Sequence, residues 1–303
     1  MTEIRLNRPL RLFAPAKINL GLEITGRRAD GYHEIVTILQ TVDLLDELVL
    51  TPADTLIYNG DPRIPEHDDL LLSALRVAEN RFGFTLHARI QLNKRIPLSA
   101  GLGGGSSNAG TMLAALGALA DIPDEELLGL AAELGSDVPF FIRGGTSLAT
   151  GTGTDLETLP SRAQIWFVVV TPDVQIRKKT VSLYASLRPA DFSDGRVIRE
   201  VAKQLRETHT FDPRLLRNAF ARPLHEHPSI PQARNALLEA GATIILPSGA
   251  GPSLFSPFDT VEAANEVAIR LSARGVTASV RTAIGPGIND KPLHAARYYG
   301  TRR

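Results

Sequence analysis

The feature that most constrains this chain is a glycine-rich segment at residues 97–107, Pro-Leu-Ser-Ala-Gly-Leu-Gly-Gly-Gly-Ser-Ser. It follows an alternating apolar pattern at residues 85–92, which predicts a strand, and opens an alanine- and leucine-rich stretch at 106–120, which predicts a helix. Glycine permits positive φ and lets backbone N–H groups approach a ligand closely. A helix start adds unpaired N–H groups and the positive end of the helix dipole. The segment therefore predicts a phosphate-binding loop.

Two other nucleotide motifs do not fit this loop. No G-x-x-x-x-G-K-[ST] sequence occurs, and no acidic residue follows a strand about 20 residues later, as a dinucleotide fingerprint requires. A flexible surface loop is the alternative that the segment alone leaves open. Ser106 and Ser107 can cap the helix, bind phosphate oxygens or ligate magnesium. The predicted nucleotide-binding residues are Pro97, Leu98, Ser99, Ala100, Gly101, Leu102, Gly103, Gly104, Gly105, Ser106 and Ser107.

Lys17 and Asn19 stand within an apolar strand pattern at residues 10–25. Their spacing of two places both side chains on the same face of that strand. A buried lysine is unfavourable unless it is paired, so Lys17 requires an anionic neighbour. The alternative is an exposed edge-strand lysine that discourages aggregation.

Asp137 is the candidate for that neighbour, because it stands between a glycine turn and the apolar run at residues 138–141. An Asx turn or a helix cap is the ordinary use of such an aspartate. The functional interpretation is a carboxylate, paired with Lys17, that accepts the proton of an alcohol attacking the γ-phosphate of ATP. Together with the loop, this pair predicts a small-molecule kinase.

Composition narrows the class of protein further. The 303 residues include no cysteine, so disulfides and thiolate metal sites are excluded. The 33 basic side chains are balanced by 33 acidic ones, which disfavours a nucleic-acid partner. Apolar runs are too short for a signal peptide or a membrane span. We expect a cytoplasmic enzyme that binds neither membrane nor nucleic acid.

Predicted strands and helices mix without strict βαβ alternation, which favours an α+β fold. The character of the sequence changes near residue 160, so we expect domains at 1–160 and 161–285. A second glycine turn at 247–255 predicts a hairpin that closes over the ligand. Residues 286–303 are polar and predict a poorly packed tail.

Four segments together resemble the kinase family named for galactokinase, homoserine kinase, mevalonate kinase and phosphomevalonate kinase (GHMP kinases): residues 15–37, 97–111, 135–141 and 248–255. The resemblance implies an N-terminal domain like domain 2 of ribosomal protein S5 and a ferredoxin-like C-terminal domain. It also implies ATP and Mg²⁺ as cofactors. We expect a monomer or a weak homodimer.

Within that family, the likeness is greatest to members that phosphorylate the 2-hydroxyl of the cytidine diphosphate derivative of methylerythritol. It implies Asp137 as general base, Lys17 as its charge partner and Asn19 in the same cleft. Tyr32 would stack on the cytosine and His33 would hydrogen-bond the base edge. Tyr184 is the candidate for the other face of the ring. Two alternatives stay open: a family member acting on mevalonate, homoserine or a sugar, and a silent nucleotide-binding module.

Three features depart from the family pattern: residues 149–154, residues 177–179 and a C-terminal tail of about 20 residues that is longer than the family needs. Residues 149–154 end in threonine, followed by Asp155, where the family usually has glutamate. The run Arg177-Lys178-Lys179 replaces small residues; gripping the substrate diphosphate and forming a solvated face are equally good interpretations. His225-Glu226-His227 lacks a third ligand at useful spacing, which favours a surface loop over a metal site. Metal ligands are not identified by the sequence.

Overall fold

The structure is a computed structural model that describes residues 2–162, 164–174 and 179–290. Helices and strands mix along the chain, and the predicted α+β class is confirmed. The strands are β1 (Thr2–Arg5), β2 (Leu10–Arg27), β3 (His33–Pro52), β4 (Ile57–Asn59), β5 (Phe84–Asn93), β6 (Thr146–Thr150), β7 (Asp155–Leu159), β8 (Trp166–Val170), β9 (Leu246–Pro247), β10 (Leu254–Phe258) and β11 (Ala278–Thr282). The helices are α1 (Leu70–Phe82), α2 (Gly104–Ala120), α3 (Asp124–Leu134), α4 (Val138–Arg143), α5 (Lys179–Ala185), α6 (Arg196–Thr208), α7 (Ala221–His225), α8 (Ser229–Glu239) and α9 (Val261–Ser272).

The first sheet is built around the long antiparallel pair β2 and β3. Its order in the described residues is β1-β5-β3-β6-β7, with β2 added to β3 and β4 added to β5. The pairing of β2 with β3 shifts register after Pro15 and again between Asn19 and Gly21. The shift after Pro15 is a bulge within one continuous strand, which bends the strand without ending it. This bend lies next to the candidate residues on β2.

The second sheet has the order β11-β8-β10-β9 in the described residues. Side chains alternate across β8, as a strand requires. Val168 and Val170 pack with Leu271 of α9 and Leu237 of α8. Phe167 and Val169 face the other way, into a cluster shared with Ile18, Ile38 and the buried face of α6. One hydrophobic cluster therefore joins the two sheets, while the predicted domain boundary near residue 160, between β7 and β8, stays a prediction.

The chain after β11 returns to the first sheet. Ala283 forms a bridge with Val42, and the side chain of Asn289 bonds both backbone groups of Phe13, at 2.9 Å to the N–H and 2.8 Å to the carbonyl. Asn289 is therefore packed against the first sheet although it lies in the expected tail; the expectation of a poorly packed tail otherwise stays a prediction. The Asn289 side chain pairs with backbone groups, which composition alone does not reveal. Residues 291–303 lie outside the described residues.

The predicted phosphate loop and the second glycine turn are locked together. The Ser248 hydroxyl donates to the Gly101 carbonyl at 3.0 Å, and the Ser253 N–H donates to the Ala100 carbonyl at 3.1 Å. Gly101 has φ of +82°, and a Cβ there would lie 2.4 Å from the Ser248 oxygen and 2.6 Å from the Gly251 oxygen. The turn between β9 and β10, predicted as a hairpin, therefore packs on the loop with no room for a side chain.

Replacing Gly101 with alanine tests this contact. The Gly101→Ala variant requires a strained backbone and displacement of two carbonyls, so we expect unfolding in urea to show a loss of more than about 2 kcal/mol. Gly105→Ala is the matched control, because the nearest atom to its added Cβ is Leu70 Cδ1 at 3.6 Å. In the first turn of α2 that alanine should be neutral or should stabilise by up to about 1 kcal/mol. Equal stability of the two variants would contradict the close packing of the second glycine turn on the glycine loop at Gly101.

Candidate active site

A cleft of about 250 Å³ opens where β2, the glycine loop, the start of α4 and the second glycine turn meet. Its lining includes Lys17, Asn19, Gly101, Gly103, Asp137 and Tyr184. The structure thus brings together six of the predicted site residues, which come from four separate segments. The contacts of each lining residue determine what chemistry the cleft can support.

Lys17 lies at the base of this cleft with only 4% of its surface exposed. Its ammonium nitrogen is 2.5 Å from the Asn19 Oδ1 and 3.5 Å from the Asp137 Oδ2. Its backbone N–H donates to the Leu102 carbonyl at 2.9 Å, which ties β2 to the glycine loop. The same-face prediction is confirmed, and the burial excludes the alternative of an exposed edge lysine. The ammonium thus has a carboxylate and an amide oxygen beside it, the partners that a buried lysine requires.

Asp137 precedes α4, and its side chain makes no capping hydrogen bond. The side chain is 35% exposed, so the carboxylate is open to a ligand in the cleft. Its position depends on the packing of α4 against α2. A Cβ at Gly110 would lie 2.7 Å from the Phe141 Cβ, so glycine there lets the two helices approach closely. Asp137 is therefore presented as a free carboxylate rather than as a helix cap.

The glycine loop ends at Gly103, whose φ is +73° and which immediately precedes α2. A Cβ at Gly103 would lie 2.8 Å from the Phe141 ring and 3.0 Å from the Lys17 Cγ. The N–H groups of the first turn of α2 have no intrahelical partners, and groups of this kind bind anions. Residues 97–99, by contrast, are exposed on the outer side of the loop.

Ser107 occupies the first turn of α2 and is fully buried. Its hydroxyl has no hydrogen-bond partner among the described residues. A buried hydroxyl beside a helix N-terminus suits a phosphate oxygen or a magnesium ion, since either supplies the missing partner. The donor set therefore fits a nucleotide phosphate.

A buried ion pair that the sequence did not reveal lies behind the loop. The Lys94 ammonium pairs with the Asp46 carboxylate, and both side chains are almost fully buried. Asp46 also accepts from the N–H of Arg95 at 2.6 Å, from that of Ile96 at 2.8 Å and from the Asn108 amide at 3.0 Å. Both ends of the glycine loop are thus fixed to one carboxylate. A lysine in a polar stretch gives no sign of burial, because the burial comes from strands distant in sequence.

Tyr184 and Phe220 form an aromatic wall of the cleft, and His33, which is outside the lining itself, packs on that wall. The His33 imidazole stacks on the Tyr184 ring at 4.5 Å between centroids, and Tyr184 meets Phe220 edge-on at 4.9 Å. Burial, with the charge of Asp137, raises the pKa of Tyr184 to about 12. Burial and the charge of Arg27 lower the pKa of His33. The wall therefore presents neutral rings close to Asp137.

Tyr32 does not join this wall, because it is 66% exposed and the described lining of the cleft does not include it. Three polar residues of the lining were missed by the sequence analysis: Thr37, Ser136 and Thr152. Thr152 belongs to the turn between β6 and β7, where the sequence departs from the expected motif. That departure could have pointed to Thr152 as a site residue. Thr37 lies in an apolar strand, and nothing in the sequence of that strand marks it as a site residue.

The remaining motifs lie away from the cleft or beyond the described residues. Arg177, Lys178 and the Lys179 side chain are outside the described residues. His225 ends α7, and Glu226 pairs with Arg222 at 2.8 Å. No group of three or more His, Cys, Asp or Glu that could hold a metal ion occurs in the described part of the chain. No helix within residues 2–162, 164–174 and 179–290 is long and apolar enough to cross a membrane.

Comparison with known proteins gives relatives along most of the chain. Residues 69–145 match the family model of the GHMP kinases N terminal domain. A protein of Dehalococcoides mccartyi named 4-diphosphocytidyl-2-C-methyl-D-erythritol kinase is 37% identical over 282 residues, covering 91% of this chain and 99% of the relative. A protein of the same name from Protochlamydia amoebophila is 38% identical over 251 residues, covering 81% and 83%.

Comparison with solved structures also finds kinases. A crystal structure of 4-(cytidine 5'-diphospho)-2C-methyl-D-erythritol kinase superposes with a TM-score of 0.77 at 33% identity, covering 91% of this chain and all of that one. Homoserine kinase from Cytophaga hutchinsonii superposes with a TM-score of 0.70 at 20% identity, covering 92% and 96%, and so shares the fold. This chain is a small-molecule kinase and belongs to the 4-diphosphocytidyl-2-C-methyl-D-erythritol kinase family of the GHMP kinases.

Proposed function

We propose that this protein transfers the γ-phosphate of ATP to the 2-hydroxyl of 4-diphosphocytidyl-2-C-methyl-D-erythritol in the non-mevalonate isoprenoid pathway. The observation that carries the proposal is the Lys17–Asp137 pair, 3.5 Å apart, whose carboxylate opens into the same cleft as the glycine loop. An acceptor hydroxyl beside Asp137 would lie close to a phosphate held by that loop. The names of the relatives supply the identity of the acceptor.

The nucleotide phosphates would bind across residues 97–107, at the N–H groups that open α2. Magnesium bound with ATP supplies positive charge against the β- and γ-phosphates. The unpaired Ser107 hydroxyl is the described side chain that fits as its ligand or as a phosphate donor. Behind the glycine loop, the Asp46–Lys94 pair holds both ends of the loop in place.

Asp137 would receive the acceptor hydroxyl, either taking its proton or orienting it for attack. Because phosphoryl transfer passes through a loose transition state, orientation is as important as basicity. Lys17 lies 3.5 Å from the carboxylate and would help to hold it in position by charge attraction. The aliphatic part of Lys17 packs against Gly103 of the loop, and its ammonium would attract the transferred phosphate.

The aromatic wall would take the cytosine. A neutral imidazole offers one donor and one acceptor to the edge of a pyrimidine, and the lowered pKa of His33 favours that form. Tyr184 would cover one face of the base, displacing its present stack on His33. Tyr32, exposed at the rim, would cover the other face. We also propose a cytoplasmic monomer or weak homodimer without a nucleic-acid partner, in keeping with the balanced charge.

The proposal is tested by ADP release with ATP-Mg and four acceptors: the cytidyl compound, mevalonate, homoserine and galactose. We expect turnover on the cytidyl compound alone. Asp137→Asn should lower kcat by about 100-fold or more, since general bases contribute that much to proton transfer. Turnover on another acceptor would replace the substrate assignment, and near-normal turnover of Asp137→Asn would remove Asp137 from the reaction.

The state of His33 gives a separate prediction. We expect an NMR titration of its imidazole to give a pKa below the ordinary 6.5, because burial and Arg27 disfavour the charged ring. Tyr184→Ala should raise that pKa by exposing the ring, whereas Tyr184→Phe should leave it low. Since the folded-state pKa is lowered, the contribution of His33 to stability is present above pH 6.5 and is lost as pH falls through the folded-state pKa. A wild-type pKa at or above 6.5 would contradict the stacked wall; His33→Gln assigns the resonance.

A further inference from the structure

We infer that Thr37 is a positioning residue for the proposed reaction, because its hydroxyl fixes the direction in which the Asn19 amide faces Lys17. The inference rests on the proposed function, since it concerns the same Lys17–Asp137 pair. Thr37 is 2% exposed and lies on β3, directly opposite Leu22 of β2. It lines the cleft without being one of the charged groups.

The direction of the amide follows from counting protons. The Thr37 hydroxyl donates to the Gly21 carbonyl at 2.6 Å. A hydroxyl has one proton, so the same oxygen can only accept from Asn19, whose Nδ2 lies 2.9 Å away. The amide nitrogen must therefore face Thr37. The amide oxygen is left facing the Lys17 ammonium, at 2.5 Å.

The opposite orientation of the amide would place two donors face to face. The Asn19 NH₂ would then point at the Lys17 ammonium, which has no acceptor function of its own. Because Lys17 is 4% exposed, water has little access to supply the missing acceptor. The ammonium would move toward Asp137, the carboxylate that must stay available to the acceptor hydroxyl.

Contacts with the second glycine turn hold the backbone of Asn19 but do not select the orientation of its amide. Its N–H donates to the Ser248 hydroxyl at 3.3 Å, and a Cβ at Gly249 would lie 2.8 Å from its Oδ1. The second glycine turn therefore confines the amide oxygen in space but offers it no donor that would select one orientation. Within the described residues, two hydrogen bonds select the orientation of the amide: the Lys17 ammonium donates to its oxygen, and its nitrogen donates to the Thr37 hydroxyl.

Valine is the informative replacement at position 37, because it keeps the β-branched shape and removes only the hydroxyl. Thr37 lies mid-strand, paired with Leu22 on one side and Ala149 on the other, so the strand is retained. We expect Thr37→Val to lower kcat about tenfold, the loss of one buried hydrogen bond, with the KM for ATP unchanged. Thr37→Ser restores the hydroxyl and should recover most of the lost turnover.

A double substitution separates positioning from a general structural effect. In an Asn19→Ala background there is no amide to orient, so adding Thr37→Val should lower kcat no further. The inference would be overturned if the losses of kcat caused by Asn19→Ala and by Thr37→Val multiplied in the double variant. Equal losses of kcat in Thr37→Val and Thr37→Ser would also overturn it. A rise in the KM for ATP with unchanged kcat would also overturn it.

A readout without turnover keeps the inference testable if the proposed acceptor fails. The side-chain amide protons of Asn19, assigned by NMR with Asn19→Ala, should exchange slowly with water in the wild type and faster in Thr37→Val. Fast exchange in both proteins would overturn the inference whatever the substrate. Absence of turnover on the cytidyl compound together with protected amide protons would reject the proposed function while supporting the role of Thr37.

Discussion

The buried ammonium of Lys17 is the constraint on which the site depends. A cation that is 4% exposed is strongly unfavourable unless acceptors surround it, with a penalty of several kcal/mol. The acceptors come from distant parts of the chain: the Asn19 amide from β2 itself and the Asp137 carboxylate from the start of α4. The requirement of one side chain for partners therefore draws together the segments that make the cleft. It also leaves a carboxylate at the point where an alcohol would be activated.

Glycines allow those segments to meet. At Gly101, Gly103 and Gly249, a Cβ would lie within 3.0 Å of a carbonyl oxygen, an aromatic ring or the Asn19 amide. The absence of side chains at these positions brings the loop onto Lys17 and the second glycine turn onto the loop. The same contacts connect the two sheets, which also share the hydrophobic cluster around Phe167. Stability and the geometry of the cleft consequently depend on the same few close approaches.

Sequence patterns predicted those features of the site that depend on residues close together in the chain. The strand–loop–helix order located the phosphate loop, and the spacing of two placed Lys17 and Asn19 on one face. The buried Asp46–Lys94 pair and the role of Thr37 could not be predicted, because each arises when strands distant in sequence pack together. The packing of Asn289 was missed for a similar reason: a polar side chain that bonds backbone groups looks like a solvated one in the sequence. The choice of acceptor came from the relatives.

The central claim is that one cleft holds both the transferred phosphate and the acceptor hydroxyl. A crystal structure of the protein with a non-hydrolysable ATP analogue, magnesium and the cytidyl acceptor tests it most directly. The arrangement predicts the 2-hydroxyl within about 3.2 Å of the Asp137 carboxylate and facing the terminal phosphate at residues 97–107, with the cytosine against His33 and Tyr184. An acceptor bound with its hydroxyl away from Asp137, or a nucleotide bound outside the glycine loop, would contradict it.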